Sequence, residues 1–225
     1  MRSVESDPIG ERIEAVRQAD SAQTLLAATA VLATSDHGNS ISGEAIACLV
    51  EVLGFNCPGA AVVAVNGLIR LGPMAVEPIL ESLDPRNYGA RAWAVRALAG
   101  IGDIHGLDLL EEALGSDIGP SVRRAAARGL GQLRLDALED SQRQAVQGRC
   151  LQALVAACAD GEWVVRYAVA VGLEGIGLAD FNSDHLRPAS RLALLGLSQA
   201  DAEAVPVVRL RAALALRRLD GQPGG

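Results

Sequence analysis

The stretch NYGARAWAVRALAGIGD (Asn87–Asp103) reads as one helix closed by a glycine. At 100° per residue, Ala94, Ala97, Leu98 and Ile101 fall on one face, which marks that face as core. The same stretch carries a Tyr, a Trp and two Arg in a chain that is only 3 % aromatic. Those residues are more than a core helix requires.

The pattern recurs. RAWAVRALAGI (Arg91–Ile101) aligns with VVAVNGLIRL (Val62–Leu71), RRAAARGLGQL (Arg123–Leu133), RYAVAVGLEGI (Arg166–Ile176) and RLRAALALRRL (Arg209–Leu219). The units begin at Ala61, Arg91, Arg123, Arg166 and Arg209, at intervals of 30, 32, 43 and 43 residues. Helical patterning at such a period signals stacked helix pairs. Leu68, Leu98, Leu130, Leu173 and Leu216 share one core column, and Leu71, Ile101, Leu133, Ile176 and Leu219 share another. Gly67, Ala97, Gly129, Gly172 and Ala215 form a small-residue column that lets neighbouring helices approach closely.

The chain is therefore expected to be all-α, an α-solenoid of helix pairs. The first helices are read at PMAVEPILESL (Pro73–Leu83), GLDLLEEALG (Gly106–Gly115) and RQAVQGRCLQALVAACA (Arg143–Ala159). Residues 1–42 fit the repeat weakly and are expected to form an irregular helical cap. The solenoid then spans 43–219, and 220–225 is expected to be a disordered tail. The leading arginines Arg91, Arg123, Arg166 and Arg209 follow Asp84, Asp117, Asp160 and Asp201 by six to eight residues. This predicts an Asp–Arg ladder between repeats, structural rather than ligand-binding.

Composition narrows the function. Half of the 225 residues are apolar and the net charge is −7. An acidic chain is a poor phosphate-backbone binder, so nucleic acid is not expected as a partner. All 20 basic residues are Arg, the better residue for planar, bidentate carboxylate recognition, although genome composition also accounts for this. Cys48, Cys57, Cys150 and Cys158 form no CxxC and no zinc spacing with His37, His105 or His185, so no metal site is expected. Cys48, Cys150 and Cys158 lie in apolar helical runs, as small core residues do, and point to a reducing cytoplasm. Cys57 precedes a helix start, where the dipole lowers a thiol pKa. The longest apolar run, Leu25–Ala33, is too short to span a bilayer, so membrane insertion is not expected.

NYGARAWAVRALAGIGD, SVRRAAARGLGQL and DGEWVVRYAVAVGLEGIG together closely resemble the E/F-type phycobilin lyases, built of short HEAT-like repeats. The resemblance runs from about Phe55 to Gly177, and the length resembles the smaller, F-type subunit. It implies a heterodimer with an E-type subunit that attaches a linear tetrapyrrole, commonly phycocyanobilin, to a Cys of a phycobiliprotein α subunit. It also implies a cytoplasmic place near thylakoid-bound phycobilisomes. The bilin is then substrate, and no cofactor is implied. Isomerising relatives carry Asn-His-Cys-Gln-Gly-Asn. This chain has FNCPGA (Phe55–Ala60), so isomerase activity is not expected.

A bilin lyase must hold a flexible pigment, neutralise its two propionates and present it to a thiol that belongs to the acceptor. Positioning is the expected source of rate, and no catalytic residue is assigned. Helix positions opposite the core form two columns: Val62, Ala92, Arg124, Tyr167, Leu210; and Asn66, Arg96, Arg128, Val171, Leu214. A first-turn column reads Pro58, Tyr88, Pro120, Trp163, Pro206. An aromatic-walled groove of Tyr88, Trp93, Trp163 and Tyr167 around Arg96, Arg124 and Arg128 suits a carboxylate-bearing pigment. The same aromatics could instead seal helix junctions, with the arginines solvated or paired with the partner. A chaperone or phycobilisome-turnover factor that binds bilin or phycobiliprotein without forming the bond is the alternative function. A generic interaction scaffold is a third.

Overall fold

A computed structural model describes residues 8–34, 43–84, 86–179 and 186–221. Among them it has twelve α-helices and no strand. The chain divides into two compact units, Met1–Ile101 and Gly102–Gly225, and each is a stack of helix pairs.

The first unit holds α1 (Pro8–Arg17), α2 (Ala22–Thr34), α3 (Gly43–Leu53), α4 (Pro58–Leu71), α5 (Val76–Glu81) and α6 (Tyr88–Ile101). Helix α2 packs on α4 and α4 on α6, while α1 packs on α3 and α3 on α5. Residues within the expected cap thus form a helix pair, α1/α2, laid against the repeat pair α3/α4. Its start is fixed locally: Thr24 N–H donates to Ser21 Oγ at 3.2 Å and Ser21 N–H to Thr24 Oγ1 at 3.1 Å. This is a reciprocal cap of the orphan donors. Helix α4 ends at Gly72, whose φ of 69° lies in the left-handed region that glycine favours. The helical run Pro58–Glu81 has the length and apolarity to cross a membrane, yet half of it is buried inside the protein.

The second unit holds α7 (Leu107–Ser116), α8 (Pro120–Leu130), α9 (Asp140–Ala156), α10 (Trp163–Leu178), α11 (Leu186–Ser198) and α12 (Pro206–Leu219). Helix α8 packs on α10 and α10 on α12, with α7, α9 and α11 as the paired first helices. The α8–α10 contact is close: a Cβ on Gly172 would lie 2.6 Å from the Ala127 carbonyl oxygen. This is the approach the small-residue column predicts. Of the expected tail, Asp220 and Gly221 are described. Asp220 N–H bonds Leu216 O at 2.9 Å, and its carboxylate lies 3.1 Å from Arg191 Nε. Residues 222–225 lie outside the described residues.

The core columns hold except at Leu216 in one and at Leu71 and Leu133 in the other, which are only partly buried. Leu68, Leu98, Leu130 and Leu173 are at most 1 % exposed, and Ala64, Ala94, Ala126, Val169 and Ala212 are buried. Full burial of a leucine stabilises by about 1.5–3 kcal/mol relative to exposure. The first helices differ more from their expected bounds. Pro73–Leu83 divides into a 3₁₀ turn (Gly72–Ala75) and the six-residue α5. Pro78 fits in the first turn of α5, where its missing N–H would have no intrahelical partner anyway. Helix α9 starts earlier than expected, at Asp140, because Glu139 and Gln142 form a capping box.

Candidate functional site

Pro58, Tyr88, Pro120, Trp163 and Pro206 are the first residues of α4, α6, α8, α10 and α12. Proline suits this position because its fixed φ is helical and no N–H is lost. Tyr88 and Trp163 stand there without that benefit, and they are 67 % and 45 % exposed.

In the first unit, Tyr88 opens α6, and Asn87 caps it by accepting the Ala90 N–H at 3.0 Å. Trp93 and Arg96 lie three residues apart on α6, and both are half-buried. The Arg96 guanidinium carbon sits 4.8 Å from the Trp93 ring centroid, a cation–π contact that holds the cation in place. In the second unit, Arg124 and Arg128 lie one turn apart on α8, both exposed. Trp163 and the half-buried Tyr167 lie one turn apart on α10, which packs on α8. Arg124 and Tyr167 hold equivalent positions on these two packed helices. No carboxylate among the described residues pairs with Arg96, Arg124 or Arg128. The structure thus brings Trp93 to Arg96 in the first unit and carries Arg124/Arg128 and Trp163/Tyr167 on packed helices in the second. Tyr88 stands apart at the start of α6, about 140° around the helix from Trp93.

The leading arginines behave differently. Arg123 donates from Nε to Asp160 Oδ2 at 2.7 Å and from Nη2 to Oδ1 at 3.0 Å. Arg166 does the same to Glu203, at 2.5 and 2.8 Å. These are bidentate rungs between neighbouring repeats. The Arg123 hydrogen bond holds the Asp160 carboxyl below its ordinary pKa, and the Arg166 hydrogen bond does so for Glu203. Two rungs of the expected ladder are therefore present, Arg123–Asp160 and Arg166–Glu203, with one correction: the acid of the last turn is Glu203 and not Asp201. The regular spacing of six residues (Asp117/Arg123, Asp160/Arg166, Glu203/Arg209) was the signal that separates the two.

The thiols are not poised for chemistry. Burial raises the pKa of Cys48, of Cys150 to about 12 and of Cys158 to about 11. Cys57 caps α4 but is buried, its Sγ turned to the Ala22 carbonyl oxygen at 3.8 Å. His105 is exposed and lies 2.6 Å from Asp103. His37 and His185 fall outside the described residues.

One cluster was not foreseen. Glu174, buried on α10, lies 2.6 Å from Arg211 Nη2 and 2.8 Å from Arg218 Nη1, both on α12. A lone acid within the apolar run Tyr167–Gly177 was the visible hint.

Comparison with known proteins accords with this geometry. Residues 56–131 and 76–174 match the HEAT repeats family. The chain is 55 % identical over 176 residues to the bilin biosynthesis protein RpcF of a Synechococcus species, covering 78 % of this chain and 81 % of that one. It is 47 % identical over 210 residues to a phycobilisome maturation protein of Synechococcus elongatus, covering 93 % and 97 %. A solved structure of the complex of CpcE and CpcF of phycocyanin lyase from a Nostoc species contains a chain that is 39 % identical. It superposes with a TM-score of 0.69 over 77 % of this chain and 99 % of that one. The chain is a HEAT-repeat protein and belongs to the family of phycocyanobilin lyase subunits.

Proposed function

We infer that this chain is the F-type subunit of a heterodimeric bilin lyase. With an E-type partner it binds a phycocyanobilin-type tetrapyrrole and presents it to a Cys of a phycobiliprotein α subunit. The observation that carries this reading is the pair of cationic, aromatic surfaces whose arginines pair with no carboxylate among the described residues. The propionates of a pigment supply the missing charge at either surface, and the aromatics of that surface, Trp93 in the first unit or Trp163 and Tyr167 in the second, supply flat apolar contact. The attacking thiol comes from the acceptor, and burial raises the pKa of Cys48, Cys150 and Cys158, which fits a positioning role. The relatives' names support the substrate class, and the CpcE–CpcF complex supports a heterodimer.

FNCPGA lacks the His-Cys pair of the isomerising relatives, so the attached pigment keeps its conjugation. The test is co-expression with an E-type subunit, a bilin source and the apo-α subunit. Pigment that stays on the α subunit after denaturation, with an unshifted long-wavelength band, is the expected product. A blue-shifted chromophore would overturn the isomerisation reading alone. Pigment held tightly but never bonded would favour a bilin chaperone.

A further inference from the structure

The turns leading into α8, α10 and α12 share one construction. An acid stands three residues before each helix, and its carboxylate accepts the N–H two residues on. Gly119 donates to Asp117, Glu162 to Asp160 and Val205 to Glu203, each at 2.8 Å. Six residues after each acid comes an arginine whose Nη1 donates back to that acid's own carbonyl oxygen. The distances are 2.8 Å for Arg123, 2.7 Å for Arg166 and 2.8 Å for Arg209. This anchor leaves the Nε/Nη2 edge of the guanidinium for the next turn. Arg123 gives it to Asp160, and Arg166 gives it to Glu203. Arg209 is the last of the series. Its Nη1 is anchored to Glu203 O and Ala204 O, and its Nε and Nη2 have no partner among the described residues.

The apolar part of the repeat contact is open at the same place. Ala127 and Ala170 follow their arginines by four residues, Leu130 and Leu173 by seven, and all four are 0 % exposed. The closeness of Gly172 to Ala127 shows that the next helix of the stack covers this position. The equivalents on α12, Ala213 and Leu216, are only partly buried. Helix α12 therefore carries an unfilled bidentate fork beside partly uncovered apolar positions, in the register that the preceding repeats fill.

We propose that this face of α12 is the docking surface for the E-type subunit. The partner lays a helix over Ala213 and Leu216 and sets an Asp or Glu of the preceding turn on Nε and Nη2 of Arg209. Within the chain, Asp160 and Glu203 are engaged by Arg123 and Arg166, while Asp84, on the same turn pattern before α6, stays half exposed, so a second copy is an outcome of the test. The E-type subunit is the proposed occupant, because a relative's solved complex pairs CpcE with CpcF. The proposal rests on the heterodimer reading above.

The experiment titrates a purified E-type subunit into the full chain by calorimetry. Absence of binding by the wild-type chain would remove the heterodimer reading and this proposal with it. Given wild-type binding, Arg209→Ala is expected to weaken the complex at least about ten-fold and Arg209→Glu further, because truncating one partner of an interfacial charge pair leaves the other unpaired. Ala213→Glu is expected to weaken it too. Hydrogen exchange on the wild-type pair supplies a readout that no variant's folding can affect, and amides of α12 should gain protection on binding. Undiminished affinity in both Arg209→Glu and Ala213→Glu, or protection that spares α12, would overturn the proposal. Self-association that Arg209→Glu abolishes while E-type binding persists would assign the face to a second copy, and would overturn it equally.

Discussion

Replacing Arg166 by Ala tests the internal ladder. Arg166 donates two bonds to Glu203, whose side chain is 2 % exposed, and a third to Asp160 O at 2.7 Å. Alanine leaves the Glu203 carboxylate buried with the Val205 N–H as its remaining hydrogen-bond donor among the described residues. Removing one member of a buried pair typically costs about 3–5 kcal/mol, because the other charge stays desolvated and uncompensated. The Arg166 side chain is itself 16 % exposed and water relieves part of this, so about 3 kcal/mol is the expected loss. For a chain of this size that lowers Tm by about 6–12 °C. Thermal unfolding followed by far-UV circular dichroism measures it. The pH dependence gives a second signature. The Glu203 pKa is lowered in the folded state, chiefly by its bonds to Arg166. Its contribution is therefore present above the ordinary Glu pKa and is lost as pH falls through the depressed folded value. Arg166→Ala should flatten this acid limb while the neutral-pH loss remains. A Tm within 2 °C of wild type with an unchanged acid limb would refute the claim that the rung holds α10 to the turn before α12.

Other outcomes follow from the same geometry. Arg96→Ala or Arg128→Ala, on whichever surface holds the pigment, should weaken bilin binding to the heterodimer by about ten- to a hundred-fold in an absorbance titration, one charge-assisted bond being worth about 1.5–3 kcal/mol. Lys at that position should restore only part, since it lacks the planar fork. Leu173→Ala should destabilise by about 2–5 kcal/mol in urea unfolding, because Leu173 is fully buried. Cys48, Cys57 and Cys150 should resist iodoacetamide at pH 8 in the folded protein, read by mass spectrometry. They should react once the chain is unfolded.

The second helix of each pair was legible residue by residue. Their shared core columns fix the face, and Pro58, Pro120 and Pro206 fix the start, so Tyr88 and Trp163 could be placed at first helical positions before any coordinates. The first helices were less legible because Pro73 and Pro78 crowd one turn, and because the α9 cap lies upstream of its apolar pattern. The ladder was visible as a spacing, but its last acid was misplaced: an Asp was sought where a Glu stands at the regular interval. The Glu174 cluster pairs residues 37 and 44 positions apart in the chain, which no local period reveals. For the site, residue type and the helix positions of Arg96, Arg124 and Arg128 were readable, while the i, i+3 contact of Trp93 with Arg96 was not. Nor was the lack of a carboxylate partner for Arg96, Arg124 and Arg128 among the described residues, since it depends on where every carboxylate settles.

On the proposed reading, Arg96 of the first unit or Arg124 and Arg128 of the second bind the propionates of a bilin for transfer to an acceptor thiol. The most direct measurement is covalent attachment to the apo-α subunit, with the heterodimer carrying either wild-type chain or the triple variant Arg96→Ala/Arg124→Ala/Arg128→Ala. Zinc fluorescence of denatured bands reports the bonded pigment. A bilin-labelled α subunit is expected with wild type, and a severe loss with the triple variant while its helix content and heterodimer persist. Wild-type labelling that the triple variant matches in rate and yield would contradict this reading.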